Sequence, residues 1–580
     1  MTAAYKTFAS VLAANAERDA DGLAFTFLSD KGDTVVTNLE LYERAQAIAR
    51  RLRETLPVGA RTMILFPPGI DYVASVFGCF AAGVIGVSAV PPHPARLHRT
   101  LPRLLAIAED ADVEAVLTTE AIKETAQPLL AGGGDTPLAK ADWIAADDEA
   151  VAALRAGSDA YIDEMSEVAF LQYTSGSTAT PRGVMLTQTN LLENTASITR
   201  HFGMGPESIG FIWLPPYHDM GLIGGILQPV YCGVHCALMN PLAVIKRPEA
   251  WLHGIARFGA TVSGGPNFAY DLCVKRIEDE KLEGLDLSTW EVAFNGAEPV
   301  RASTLKAFSE RFAPYGFRAK AHLPCYGLAE GTLIITGKPH EQPPKITEFD
   351  AAELEAGRAV VLEDSERSMP LVSSGVTDHL HEVKIVDPTH LTPLVDGQIG
   401  EVWINGPSVA AGYWRRDDEN ADLFGAKLSG PLADDKEWLR SGDLGTIVDG
   451  ELYIVGRSKD LLIVRGRNIH PHDVEEAAEA AHPLLRPHCS AAFPVSLDDP
   501  SHVSMALEID PPSEEDDLDE IIAAIRVQVS RELELKLQGV ALVPVGAVPK
   551  TTSGKVQRRL CRQQLLDGEI EPIAAWHADV

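Results

Sequence analysis

The sequence predicts an α/β protein in two parts. The larger, N-terminal part is expected to be two stacked α/β subdomains plus a small β-rich subdomain. A hinge joins it to a small α+β C-terminal domain. Three observations carry this expectation. Short apolar runs alternate with amphipathic stretches twice between residues 24 and 323, the order that gives parallel sheets covered by helices. Composition then shifts over Lys338–Ser374, which holds four prolines, many charges and little periodicity. Finally, 580 residues exceed one ordinary domain, and the last 120 or so alternate strand and helix patterns again.

The elements follow in order. Ala24–Leu28 and Thr34–Thr37 read as a hairpin about residues 29–33. Thr37 and Glu40 form a capping box that opens a helix with Leu41, Ala45, Ile48, Ala49 and Leu52 on one face. Thr62–Phe66, Val84–Val90 and Val113–Thr118 read as strands, with helices over Asp71–Ala82 and Leu101–Ala111. Ala131–Ala160, rich in Gly, Ala and Asp, reads as a surface excursion before strand Val168–Tyr173. A second run follows. Its strands are Gly210–Leu214, Val234–Met239, Ala260–Gly264, Trp290–Asn295 and Ala319–Leu323; its helices are Asn190–His201, Leu222–Tyr231, Pro248–Phe258, Asn267–Glu280 and Arg301–Phe312. Val383–Val386 and Gly400–Ile404 are the short strands of the β-rich part. In the final block, Pro471–Ala481 and Leu518–Leu533 read as helices, and Ser504–Ile509 and Val540–Pro544 as strands.

Composition narrows the function. Hydrophobic content of 46% and charged content of 23% are those of a globular protein. A net charge of −32 argues against nucleic acid as a partner. Seven scattered cysteines imply no disulfide framework and fit a reducing compartment. Cys232, His235 and Cys236 lack a fourth ligand nearby, so no zinc site is expected. The start has no apolar signal core, and no run of 18 apolar residues occurs, so a cytoplasmic protein without a transmembrane segment is expected.

The chemistry centres on Leu171–Leu186, LQYTSGSTATPRGVML. It reads as a strand end, a loop, then a basic residue and a helix lead-in. Thr174, Ser175, Ser177, Thr178 and Thr180 place five hydroxyls within nine residues, beside Gly176 and Arg182. Such a loop suits a polyphosphate: glycine admits close backbone approach, N–H and hydroxyl groups donate to phosphate oxygens, and a cation offsets charge. The G-x-x-x-x-G-K-[ST] spacing is absent, so it is not a Walker loop.

YTSGSTATPRG resembles the signature loop of the adenylate-forming superfamily, which includes acyl-CoA synthetases, peptide-synthetase adenylation domains and luciferases. Ala179 stands where glycine is usual and Arg182 where lysine is usual, a form that looks like the fatty acyl-AMP ligase branch. The resemblance runs over nearly the whole chain as ordered motifs, and it implies roles residue by residue. The loop residues Thr174, Ser175, Gly176, Ser177, Thr178 and Arg182 would hold the ATP phosphates. His218 in PYHDMG would lie near the substrate carboxylate. Asn295, Gly296, Ala297 and Glu298 would flank the adenine. Tyr326 would stack on the purine, with Gly327 beside it in the ATP site, and Glu330, with Thr178, would bear Mg²⁺. Asp443 in SGDLG would accept from the ribose hydroxyls, and Arg457 would reach ribose or phosphate. Lys459 falls at the hinge, and Lys555 in PKTTSGK matches the catalytic lysine. Glycines in GLIGGILQPVY and SGGPNFAYDL, namely Gly221, Gly224, Gly225, Gly264 and Gly265, with Asn267, would open an acyl pocket; close helix–sheet packing is the other reading of those glycines.

The implied layout is an adenylation domain over residues 1–456, a hinge at 457–460 and a mobile domain over 461–580. The implied reaction joins a medium- or long-chain fatty acid to ATP as acyl-AMP, with ATP and Mg²⁺ required. The segment 338–374 is longer than CoA-forming relatives need, an insertion that marks fatty acyl-AMP ligases and is held to restrain the C-terminal domain there. Asn468 stands where some CoA-forming relatives carry arginine. The resemblance implies that the acceptor thiol is the phosphopantetheine of a separate holo-acyl carrier protein or of a polyketide or peptide synthase. A CoA-forming synthetase and a non-catalytic acyl-adenylate-binding protein are the alternatives.

Overall fold

A computed structural model describes residues 5–91, 97–131, 136–154, 165–174, 181–362, 367–464, 467–496, 502–513, 516–551 and 554–578. The chain forms two compact units. The first comprises residues 1–345, 373–383 and 403–441; the second comprises 346–372, 384–402 and 442–580. The hinge turn expected at 457–460 lies within the second.

The first unit carries two sheets. One has six strands in the order 142–145, 115–118, 61–64, 85–88, 170–174 and 182–186, parallel except for the last pair. The other has nine. Six of them, in the order 322–327, 292–295, 262–264, 210–212, 236–239 and 23–28, run parallel. Antiparallel strands close both edges, with 334–337 and 376–377 at one and 34–37 at the other. The mixed α/β layout thus matches the expectation of two sheet-based subdomains.

Local chemistry explains the elements. The Thr37 hydroxyl accepts from the Glu40 N–H, and Glu40 returns the bond to the Thr37 N–H, so helix Asn38–Thr55 starts where its capping box predicts. Helix Gln188–Phe202 opens on a second box between Thr187 and Asn190. The nine-stranded sheet is backed by a dense aromatic cluster in which Tyr270, Trp290, Phe308 and Phe317 meet edge to face.

Two readings are corrected. Residues 131–160 are not only a surface excursion: Asp142–Ala145 is a strand paired with Ala115–Thr118, and Trp143 is buried in the core. Four residues are too short for alternation to announce a strand. Arg182–Leu186 is not a helix lead-in but a strand antiparallel to Phe170–Thr174, and the helix starts at Gln188. The β-branched and apolar run RGVML gains a ladder and a buried face there, which outweighs local helical preference.

In the second unit, strands 485–494, 503–509, 539–543 and 574–577 form one sheet. Helices Pro471–Glu479 and Leu518–Leu533 contribute Val474, Ile525 and Val529 to a core shared with Leu507 and Leu542. Hairpin 462–464/467–469 adds Leu462 and Ile469 to that core. The hairpin of the insertion, Ile346–Asp350 with Ser368–Val372, belongs to this unit.

Candidate active site

The site residues of the first unit follow from its topology. His218, Gly264, Asn295 and Tyr326 lie at or just beyond the carboxyl ends of neighbouring parallel strands. That edge is where open α/β sheets take ligands, because helix N-termini and loops converge there.

At the base of the signature loop, Thr174 pairs with Arg182 across the antiparallel hairpin. Residues 175–180, including Ser175, Gly176, Ser177 and Thr178, lie outside the described residues. The stretch 410–414 runs alongside: Ala411 donates to the Met185 carbonyl, Met185 to that of Gly412, and Trp414 to that of Gly183. This brings Tyr413 to Glu330. Its hydroxyl donates to Glu330 Oε1 at 2.6 Å, and the Ala410 N–H donates to the Glu330 carbonyl. The Arg182 guanidinium lies 5.4 Å from the Tyr413 ring centroid and pairs with Glu419 at 2.9 Å. Burial, reinforced by the Glu330 carboxylate, pushes the Tyr413 hydroxyl far above its usual range, so it stays a donor. Loop base, Glu330 and the AAGYW stretch are thereby one cluster. Sequence reasoning missed Tyr413; a tyrosine between a glycine and a tryptophan gave no period or spacing that pointed to it.

The backbone around Glu330 is tightly constrained. Thr332 has φ of +73° and its hydroxyl donates to the Ser408 carbonyl at 2.5 Å. A side chain on Gly327 would collide with the Leu333 carbonyl, so only glycine closes this turn. Strain of this kind persists where surrounding contacts over-determine the backbone.

The PYHDMG stretch is tied to the loop-bearing strand. Gln172 Nε2 donates to the Tyr217 carbonyl at 2.8 Å, and the Tyr72 hydroxyl donates to that of Pro216 at 2.8 Å. Tyr72 and Tyr217 meet edge to face at 6.0 Å, and the His218 carbonyl accepts from Leu222. Met220–Leu227 then coils as a π-helix, a wide turn frequent at functional sites. An apolar crevice with about 20 Å³ of free space lies beside it, lined by Phe27, Tyr72, Val73, Gly221, Leu238 and Met239 among others.

The other predicted pocket glycines serve close packing. A Cβ at Gly264 would overlap the Phe294 carbonyl, one at Gly225 would lie 2.7 Å from Ile212, and one at Gly265 2.9 Å from Trp213. Only at Gly224 would a Cβ make an ordinary contact, 3.5 Å from Leu333. Asn267 is fully buried and holds the NGAEPV turn: its Oδ1 accepts from Asn295 at 3.0 Å and from the Arg301 N–H at 3.2 Å, and its Nδ2 donates to the Pro299 carbonyl.

In that turn Ala297 adopts φ of +76°, and a Cβ at Gly296 would press on the Cys325 carbonyl at 3.0 Å. Asn295 Oδ1 and Glu298 Oε1 are buried acceptors with no partner among the described residues. Buried acceptors are rarely left so, and an exocyclic amino group with two N–H donors is the chemistry that would satisfy them. Tyr326, from the adjacent strand, is 8% exposed.

The remaining predicted residues belong to the second unit. Asp443 faces Arg457 across strands 439–448 and 451–457, with Nε to Oδ1 at 2.8 Å. Lys459 sits in the turn Ser458–Asp460. Lys555 stands on a tight turn: its N–H donates to the Thr551 hydroxyl at 3.0 Å, and Thr551 N–H to the Lys555 carbonyl at 2.7 Å.

Comparison with known proteins fits this geometry. The family model described as AMP-binding enzyme matches residues 12–414. The chain belongs to the AMP-binding enzyme family. Among its relatives is a medium-chain-fatty-acid–acyl-carrier-protein ligase of Moorena producens, 39% identical over 568 residues, covering 96% of this chain and 94% of the relative. A long-chain-fatty-acid–AMP ligase of Mycolicibacterium smegmatis is 34% identical, covering 95% and 92%. A fatty acyl-adenylate ligase of L. pneumophila, solved with acyl adenylate and pyrophosphate, superposes with a TM-score of 0.76 at 36% identity, covering 99% of this chain and 98% of that one. Among the described residues of this AMP-binding enzyme, no helix is long and apolar enough to cross a membrane.

Proposed function

We propose that this AMP-binding enzyme converts a medium- or long-chain fatty acid and ATP into fatty acyl-AMP and pyrophosphate in the cytoplasm, then passes the acyl group to the phosphopantetheine thiol of an acyl carrier protein. The observation that carries the reading is the cluster in which Tyr413 joins Glu330 to the base of the hydroxyl-rich loop. It supports the reading because a carboxylate, a cation and the base of the hydroxyl-rich loop come together within the first unit.

In this reading the fatty acid's carboxylate, held near His218, attacks the α-phosphorus in line, and pyrophosphate leaves from the loop 174–183. Asn295 and Glu298 accept from the adenine amino group, Tyr326 stacks on the ring, and Asp443 accepts from the ribose hydroxyls. Lys555 offsets the charge that builds on the α-phosphate, a type of stabilisation that counts most where water is excluded. Glu330 would hold Mg²⁺, and a hard carboxylate fits that ion; when bound, it neutralises the phosphate oxygens. The alkyl chain is assigned to the side of Gly221, where the crevice, with about 20 Å³ of free space, has to widen to take it. Residues 1–456 form the adenylating part and residues 461–580 turn about 457–460 between half-reactions.

The test is a product assay with ATP and a fatty-acid series, scoring ATP–pyrophosphate exchange and acyl-AMP, then transfer to holo-carrier or to CoA. Fatty-acid-dependent exchange with transfer to the carrier is the expected result. Exchange that ignores the fatty acid, or preferential transfer to CoA, overturns it. Lys555→Ala should lower exchange by about 10²–10³-fold and leave ATP binding intact; full exchange in that variant removes Lys555 from the mechanism.

A further inference from the structure

We infer that Arg558 is a positioning residue for Lys555: its clasp on buried Glu475 fixes the chain three residues beyond the lysine. The inference rests on the role proposed for Lys555 and names what holds that lysine in place.

Packing does little to anchor Lys555. Among the described residues from 549 to 560 none is buried, and Val556 meets a core only at its margin. Backbone pairing shapes the turn itself. Thr551 exchanges two bonds with Lys555, Lys550 bridges to Val556, and the Gln557 N–H donates to the Pro549 carbonyl at 2.9 Å. These bonds close the turn on its own stem, which follows buried Val548. Where the chain leads out again, the anchor is Arg558.

Arg558 opens the last helix, Arg558–Leu566. Its guanidinium meets Glu475 through two parallel bonds, Nε to Oε1 at 2.6 Å and Nη2 to Oε2 at 2.7 Å. Glu475 lies on helix Pro471–Glu479 and is 4% exposed. Its Oε1 also accepts the Ala492 N–H at 2.9 Å, so one carboxylate joins helix, strand and guanidinium. Leaving a buried carboxylate without its cation is costly, which keeps the pair closed. A fork with two bonds at fixed angles belongs to arginine and not to lysine. Nη1 of Arg558 lies 3.5 Å from Oδ2 of Asp460, and Arg559 donates to the Lys459 carbonyl at 3.2 Å. The helix start is thereby bonded to the turn Ser458–Asp460 as well.

Cys561, fully buried one turn on, holds the body of the helix. Arg558, at its first residue, sets the direction in which the chain leaves Lys555. A lysine that offsets charge on a transferring phosphate acts only within reach of it, and a misplacement of about 1 Å can cost about 10²-fold.

The test uses the full chain and a double-mutant cycle between Arg558→Lys and Lys555→Ala. Each variant is assayed for fatty-acid-dependent ATP–pyrophosphate exchange, with kcat and KM separated, and for its melting temperature. Arg558→Lys is expected to lower kcat by about 10–100-fold, with KM for ATP and for the fatty acid unchanged. Combined with Lys555→Ala, it should lower kcat no further than Lys555→Ala alone, since a misplaced lysine and a missing one cost the same step. Purely structural damage would multiply with the loss of the lysine. If Arg558→Lys is unfolded at the assay temperature, Glu475→Gln takes its place in the cycle; it removes the carboxylate charge and keeps an acceptor for Ala492. Unchanged kcat in a folded variant overturns the inference, as do multiplying effects or a raised KM with unchanged kcat. Those failures leave the role of Lys555 standing. Full exchange in Lys555→Ala overturns that role itself, and the inference with it.

Discussion

Arg467 grips Glu355 with two parallel hydrogen bonds, Nε to Oε2 at 2.6 Å and Nη2 to Oε1 at 2.7 Å. The same guanidinium donates to the Leu533 carbonyl at 3.0 Å, and Asn468 donates to the Glu355 carbonyl at 3.3 Å. Glu355 ends the short helix Ala351–Glu355 of the insertion, and Arg467 opens a strand just past the proposed hinge. Within the second unit the insertion is thus fastened to the C-terminal block by a fork geometry that lysine cannot reproduce.

If this fastening restrains the C-terminal block, Glu355→Ala and Arg467→Lys should both raise acyl-CoA formation relative to acyl-AMP release. The stability cost should be small, about 1 kcal/mol or less, since both side chains are partly exposed. A double-mutant cycle read by product ratio checks it. An unchanged ratio in both variants separates the pair from acceptor choice.

Tyr413→Phe keeps the ring under Arg182 and removes only the donor to Glu330. If Glu330 holds Mg²⁺ as proposed, its orienting partner should contribute about 10–100-fold to metal affinity or activity. The variant should therefore need more Mg²⁺ for half-maximal ATP–pyrophosphate exchange, with a melting temperature close to that of the parent. A Mg²⁺ titration with both proteins decides this; coincident curves detach Tyr413 from Glu330's role.

Gly264→Ala should destabilise the first unit by about 1–3 kcal/mol, because its methyl overlaps a backbone carbonyl that cannot turn aside. Gly224→Ala, where the methyl makes ordinary contact, should melt like the parent. Paired thermal melts distinguish close packing from an open tunnel at these glycines.

Buried histidines set the acid limit. Burial lowers His322 to about 3 and His201 to about 4, so both are neutral in the fold at pH 7. The unfolded chain binds these protons near its ordinary value of about 6.5. Stability is therefore level above that value and falls as pH drops toward 4, by up to about 1.4 kcal/mol per pH unit for each histidine. His322→Gln should flatten that slope; denaturant melts between pH 7 and pH 4 measure it.

Much of the fold was readable because its signals are local. Thr37 and Glu40 mark a helix start through four neighbouring residues, and Leu518–Leu533 shows its apolar face within one window. What failed locally was decided by pairing. Asp142–Ala145 is a strand because Ala115–Thr118 offers it a ladder, and Arg182–Leu186 because Phe170–Thr174 does.

The sequence by itself determined the α/β class, the family and the hydroxyl-rich loop with its ordered motifs, since each is a matter of residue type and spacing. Only the tertiary structure decided that Tyr413 belongs with Glu330, that Asn267 braces the NGAEPV turn, and that Arg467 fastens the insertion. Those partners stand 83, 28 and 112 residues apart. A hydrogen bond needs its atoms within about 3 Å, and nothing in the order of residues along a chain encodes that proximity until the sheets have formed.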